Sequence, residues 1–170
     1  MKQEEIREKL LAAFGADVIQ AAAEFRGQAS VTVAADKIVE VCRFLRDDPE
    51  LSFSFLSFVG GLDWYPQTPR FEIVYQLRSV KHNHRFRVKV RIEENPGKSP
   101  VIDSVTSVWP TANWHERETA EMFGIEFRNH PDPRKLLLPD EWNVHPLRKD
   151  FPVLGSEEDT PDLPKRAGGR

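Results

Sequence analysis

The sequence predicts an α+β domain, an antiparallel or mixed sheet with helices on one face, followed by an extended C-terminal arm. Three observations carry that reading. Helical apolar stripes precede and follow a set of alternating segments; two of those segments are separated only by Lys81-His82-Asn83; and beyond Gly124 prolines recur too often for a long helix or a central strand. At 170 residues the chain fits one domain with a tail, with the domain over 1–124, the arm over 125–154 and the tail over 155–170.

Residues 4–14 place Ile6, Leu10 and Phe14 at i, i+4 and i+8, a helical stripe that Gly15 ends. Residues 18–25 and 30–33 read as short strands about a turn at Gly27, the Ala21-Ala22-Ala23 run being the least strand-like part. Residues 36–45 set Ile38, Val41, Cys42 and Leu45 on one helical face before Asp47-Asp48-Pro49 breaks the helix. Three strands follow: the phenylalanine-rich 51–59, then 70–77, then 84–92. In the last two, Phe71, Ile73, Tyr75 and Leu77 alternate in step with Phe86, Val88, Val90 and Ile92, the pattern of an antiparallel hairpin. The other face of the final strand bears Arg85, Arg87, Lys89 and Arg91. This basic stripe reads as solvated sheet surface, with docking of an acidic partner or a phospholipid headgroup as the lesser alternative.

Residues 113–123 read as a helix with Asn113 as N-cap, Glu116, Glu118 and Glu121 favouring its N-terminal half, and Gly124 as C-terminal cap. Pro131, Pro133, Pro139, Pro146 and Pro152 then exclude regular structure, yet Leu136, Leu137, Leu138, Trp142, Leu147 and Phe151 are too apolar for a disordered linker. Such an arm gains little by folding on itself and is suited to lie in grooves of another protein. The polar, Gly- and Pro-containing residues 155–170 read as a mobile tail.

Chemistry is conspicuous mainly by exclusion. With 24 Lys and Arg against 27 Asp and Glu, the net charge of -3 argues against a nucleic-acid binder. Cys42 is the only cysteine, so the chain alone forms no internal disulfide and no thiolate-ligated cluster, and it reads as core filling. No apolar stretch approaches the roughly 20 residues of a membrane span, and the start Met1-Lys2-Gln3-Glu4-Glu5 is too acidic for a leader. There is no phosphate loop and no dinucleotide fingerprint; Gly60-Gly61 reads as a turn or strand end. His115-Glu116 begins a zinc-protease motif that fails at Thr119. Arg117 and Arg134 stand as counter-charges for the helix carboxylates, suggesting ion pairs between helix and arm, with a proton route as the minority reading.

The segment from Trp114 through Glu116-Arg117-Glu118 and Glu121 to Gly124-Ile125-Glu126-Phe127 is followed by His130-Pro131-Asp132-Pro133-Arg134-Lys135-Leu136-Leu137-Leu138-Pro139, then by His145-Pro146-Leu147-Arg148-Lys149-Asp150-Phe151-Pro152. These three ordered blocks resemble the signature of the 30 kDa subunit family of bacterial proton-translocating NADH:quinone oxidoreductase, respiratory complex I. Gly61-Leu62-Asp63-Trp64 and the segment from Phe44 to Leu51 resemble the family more weakly, so the likeness spans roughly residues 18–152. Glu121 stands where an aspartate is usual and Pro133 where a leucine is usual. The resemblance implies a subunit with no cofactor of its own, the iron–sulfur clusters, FMN and quinone being held by partner subunits. It implies a peripheral place on the cytoplasmic side of the cell membrane, against the quinone-site large subunit and the terminal iron–sulfur subunit. The subunit-interface residues it implies are Glu116, Arg117, Glu118, Glu121, His130, Pro131, Arg134, Leu136, Leu138, Trp142, His145, Pro146, Arg148, Lys149 and Asp150. An equivalent subunit of a membrane-bound hydrogenase or another donor:quinone oxidoreductase is the alternative. A free-standing enzyme holding a metal on Glu116, Glu118 and His130 is a third.

Overall fold

The structure, a computed structural model, describes residues 3–94 and 97–152. Helix α1 (Gln3–Phe14) stops at Gly15, whose φ of +78° suits glycine, and Gly15 N–H bonds back to Leu11 O. Ile6 and Leu10 are fully buried one turn apart, and at about 2 kcal/mol each their burial is what docks this short helix. Strands β1 (Ile19–Phe25) and β2 (Gln28–Val33) form a hairpin whose turn residues Arg26 and Gly27 both have positive φ. A 3-10 turn (Ala35–Lys37) leads into α2 (Ile38–Asp47), which buries Ile38, Val41, Cys42 and Leu45 as the periodicity predicts.

The next strand starts later than its phenylalanines suggest. Asp48 accepts the N–H groups of Glu50 and Leu51, and Ser52 has φ +45°, so this stretch turns before strand β3 (Phe55–Asp63) begins. Leu51 and Phe53 still reach the core, as loop residues. Strands β4 (Phe71–Ser79) and β5 (His84–Ile92) then pair as expected, with Phe71, Ile73, Tyr75 and Leu77 buried beside Phe86, Val88 and Val90. The sheet order is β1-β2-β5-β4-β3, antiparallel except for the parallel β2–β5 pair, so it is mixed.

Gly60 and Gly61 lie mid-strand in β3, not at a turn or strand end. Each makes room on one face: a Cβ at Gly60 would meet the Phe58 ring at 2.2 Å, and one at Gly61 would meet Phe123 at 2.6 Å. Strand β6 (Val101–Asp103) precedes α3 (Ala112–Phe123), and β7 (Glu126–Arg128) pairs with β6 in parallel. Residues 126–128, just past Gly124, are thus tied to residues 101–103 by strand pairing. Thr111, not Asn113, occupies the N-cap position and makes no side-chain cap, and the first turn of α3 holds no acidic residue. The helix start is fixed instead by Trp109 and Ala112, both buried; Ala112 N–H bonds to Trp109 O, and the Trp109 indole donates to Phe53 O. The end of the expected arm, 153–154, and the expected tail, 155–170, lie outside the described residues.

Candidate functional site

Helix α3 places four charged side chains in different directions. Glu116 is fully buried and accepts from Ser104 Oγ at 2.5 Å and from Val105 N–H at 2.8 Å. Burial pushes its carboxyl up to about 7 against those two hydrogen bonds, which favour the charged form. The thiol of Cys42 and the hydroxyl of Tyr75, both buried nearby, are raised by burial and then by the Glu116 charge. Cys42 is thereby an unreactive core residue.

Arg117 and Glu121, one helical turn apart, hold the following chain by its backbone. The Arg117 guanidinium lies over the Trp114 ring, donates to the carbonyls of Arg134 and Lys135 at 2.8 Å each, and sits 3.4 Å from Asp132. Glu121, buried, accepts the N–H groups of Leu136, Leu137 and Leu138. Of the expected ion pairs between helix and arm, Arg117 forms one with Asp132, while Arg134 pairs with no helix carboxylate. Arg134 is 81% exposed and pairs with Asp132, while the helix side chains bind main-chain groups that the flanking prolines keep out of any ladder. Glu118 is exposed.

The His145-Pro146-Leu147-Arg148 element closes the other end of the helix. The last four carbonyls of an α-helix lack partners within it. Here Gly124 N–H takes Ala120 O, His145 Nδ1 takes Glu121 O, Leu147 N–H takes Met122 O, and Arg148 Nε takes Phe123 O at 2.6 Å. All four are satisfied, three of them by the arm, and the Arg148 cation also complements the helix dipole. Gly124 has φ +69°, and a Cβ there would strike the His145 ring at 2.5 Å and Arg148 at 2.7 Å.

Beyond it, the arm returns to the sheet. Arg70, 8% exposed, is bidentate on Asp63 at 2.9 and 2.8 Å and also reaches Glu94 and Asp150. Arg148 shares Glu94, and Lys149 N–H bonds to Asp63. Burial tends to raise the Asp63 carboxyl, but the Arg70 bonds and two backbone N–H groups win and hold it at about 2. His130, whose side chain is almost fully buried, bonds through Nε2 to Asn113 O and accepts Asp132 N–H at Nδ1. That pair of partners assigns the neutral Nε2–H tautomer. Lys135 Nζ gathers the carbonyls of Pro139, Asp140 and Trp142, curling the arm on itself.

The arm's main chain is thus held on the domain while its apolar side chains are covered only in part. Apart from the His130 side chain, no described residue after Phe127 is buried, and Leu136, Leu138 and Trp142 are half-covered while Leu137 and Leu147 are exposed at 61% and 54%. Pro131, Lys149 and Asp150 lie at the surface and Pro146 is half-buried. Glu116 and His130 approach to 3.9 Å, but Glu118 points to solvent, and no group of three or more metal-ligating side chains is gathered among the described residues. Sequence reasoning overlooked Arg70, Glu94 and Lys135; an arginine at the start of an apolar strand was the available signal for the first.

Residues 31–157 match the model of one protein family, the 30 kDa subunit of respiratory-chain NADH dehydrogenase. The chain belongs to that family. The corresponding NADH-quinone oxidoreductase subunit of Roseiflexus sp. (strain RS-1) is 50% identical over 153 residues, covering 90% of this chain and 85% of the relative. The NADH-quinone oxidoreductase subunit of Geobacter sulfurreducens is 41% identical over 152 residues, covering 89% and 90%. Among solved structures, a chain of the membrane-bound sulfane sulfur reductase, an archaeal respiratory membrane complex, superposes with a TM-score of 0.70 at 26% identity, covering 91% of this chain and 88% of that one. In this member of the 30 kDa family the three sequence blocks have a joint physical role: the α3 block supplies Arg117 and Glu121, the second supplies the backbone they hold, and the third caps the helix. No helix among the described residues is long and apolar enough to cross a membrane.

Proposed function

We propose that this chain is a cofactor-free structural subunit in the hydrophilic arm of a proton-translocating NADH:quinone oxidoreductase. In this reading it braces the quinone-site large subunit and the terminal iron–sulfur subunit while electrons pass from NADH through them to quinone, and it is peripheral on the cytoplasmic side of the membrane. The observation that carries it is the use of Arg117, Glu121, His145 and Arg148: side chains that could do chemistry are spent on fastening arm to helix, the first two through the arm's main chain and the last two through the final carbonyls of α3. A held arm with outward Leu137, Arg134 and Leu147, beside outward Glu118 of α3, is a surface of fixed shape for a neighbouring subunit. Rigid placement matters because a displacement of about 1 Å near a reacting centre can cost a hundredfold in rate.

Leu137→Glu tests it. The side chain is exposed, so the isolated variant is expected to melt with the native chain, while membranes carrying it lose assembled complex and NADH-dependent quinone reduction. Wild-type assembly and activity in that variant would remove the arm from the interface. The structural likeness to the sulfane sulfur reductase chain supports a second reading, in which the same brace serves a complex fed by another donor or a membrane-bound hydrogenase. Membranes that reduce quinone with NADH only when this chain is present favour the first; NADH-independent quinone reduction that requires it favours the second.

A further inference from the structure

The face of the sheet turned away from the helices is not uniform. Reading across the strands, its outward rows are Phe55–Arg78–Arg85, Phe58–Gln76–Arg87, Gly60–Val74–Lys89 and Leu62–Glu72–Arg91. Strand β3, at the sheet edge, therefore contributes an apolar ridge, with Phe55, Phe58 and Leu62 exposed at 47%, 50% and 44%; the Phe58 ring is laid over Gly60 and meets His115 of α3 at the edge, 6.0 Å between centroids. Strand β5 contributes the cations. Those are Arg85, Arg87, Lys89 and Arg91; β4 adds Arg78, and among the described residues of this sheet the five share the face with one carboxylate, Glu72. The basic stripe is thus not merely solvated: Lys89 and Arg91 are placed by Glu72, and Arg87 by Gln76 and Gln28.

Ridge and cations lie two strands apart, about 10 Å, which is the diameter of an α-helix. The floor between them is β4, with half-buried Val74 and Gln76. From Glu72 to Arg78 that floor runs about 20 Å, nearly four helical turns. Alternate β5 residues repeat at about 6.8 Å, close to the 6 Å rise between helix positions i and i+4. We propose that this trough binds an amphipathic acidic helix of a protein partner, its apolar stripe against Phe55, Phe58, Leu62 and Val74 and its carboxylates, spaced i, i+4, against Arg85, Arg87 and Lys89. A layer of anionic lipid headgroups would satisfy the cations but has no fixed repeat to match their spacing, so the protein helix is the occupant assigned. The inference does not depend on the electron donor or on the arm.

Photo-crosslinking in the intact cell tests it. The full chain carries p-benzoylphenylalanine in place of Phe58 or of Gln76, with exposed Ala12 on α1 as the control position. The expected result is that both trough positions label one segment of one protein, whose sequence has an apolar stripe flanked by carboxylates at i and i+4. Arg85→Glu with Arg87→Glu should cut that yield at least tenfold while the variant chain melts as the parent does; if the pair fails to fold, Arg85→Glu alone, at an exposed position, serves the same comparison. Label recovered in lipid, in a second copy of this chain or in a neutral or basic segment, or yields no higher than at Ala12, would overturn the proposal.

Discussion

Glu116 shows how one buried side chain can set a pH dependence for a whole domain. Its carboxyl sits near 7 in the folded chain against an ordinary 4.5, with burial as the cause. Between those two values the native state holds a proton that the unfolded chain has released, so stability falls as pH rises through this window and levels off above it. A shift of that size corresponds to a loss on the order of 3 kcal/mol between pH 4.5 and pH 8. Geometry supports the exchange, since the Ser104 hydroxyl can donate to the carboxylate or turn toward Thr106, 2.7 Å away, and accept from the protonated acid. Asp63 acts in a separate range: held near 2, its contribution is present above about 4 and is lost as pH falls toward 2. Glu116→Gln mimics the protonated acid. Urea titrations at several pH values are expected to show the variant gaining on the parent steadily from pH 4.5 to 7, then no further; parallel stability curves would mean that Glu116 does not carry the linkage.

At the scale of the element, α3 is a helix whose end is made by residues more than twenty positions away. Gly124 tolerates its left-handed backbone because it lacks a Cβ, and the same lack leaves room for His145. Gly124→Ala should therefore cost about 1–2 kcal/mol for the backbone conformation and a further steric amount against the imidazole. Pairing it with His145→Ala separates the two. The double variant should regain the steric part only, giving an interaction free energy that is distinguishable from zero in a denaturation cycle; strict additivity would show that the ring and the missing methyl do not compete. The sequence made this helix and its C-terminal glycine legible, because periodicity and capping are local. The β4–β5 hairpin was legible for the same reason, through alternation and a short polar turn. What was not legible was local signal overridden at a distance. Gly60-Gly61 looked like a turn and is a packing surface for Phe58 and Phe123, while Leu51 and Phe53 looked like strand and are core residues in a loop.

At the scale of the molecule, the arm and the sheet are joined through charge. The residues of the three signature blocks could be picked out in the sequence, but their partners could not. Nothing local announces that Arg117 and Glu121 bind main-chain groups, or that Arg70 lies between Asp63 and Asp150. The consequence is mechanical: among the described residues, Arg70 is the one side chain that touches strand β3 through Asp63, the β5 end through Glu94 and the arm through Asp150. Its burial means that removing it strands the mostly buried Asp63 carboxylate, a change that typically costs about 3–5 kcal/mol. Arg70→Met keeps an unbranched apolar stem but removes the guanidinium, with its hydrogen bonds and its place over Phe71 and Tyr65. In amide exchange of the full chain, we expect the N–H groups of Leu147 and Lys149 to lose protection in that variant before those of Leu136, Leu137 and Leu138, which Glu121 holds independently. If all five open together, the arm is one cooperative piece and Glu121 cannot anchor half of it alone. If none changes, the Arg70 cluster is a surface ornament and α3 alone retains the arm.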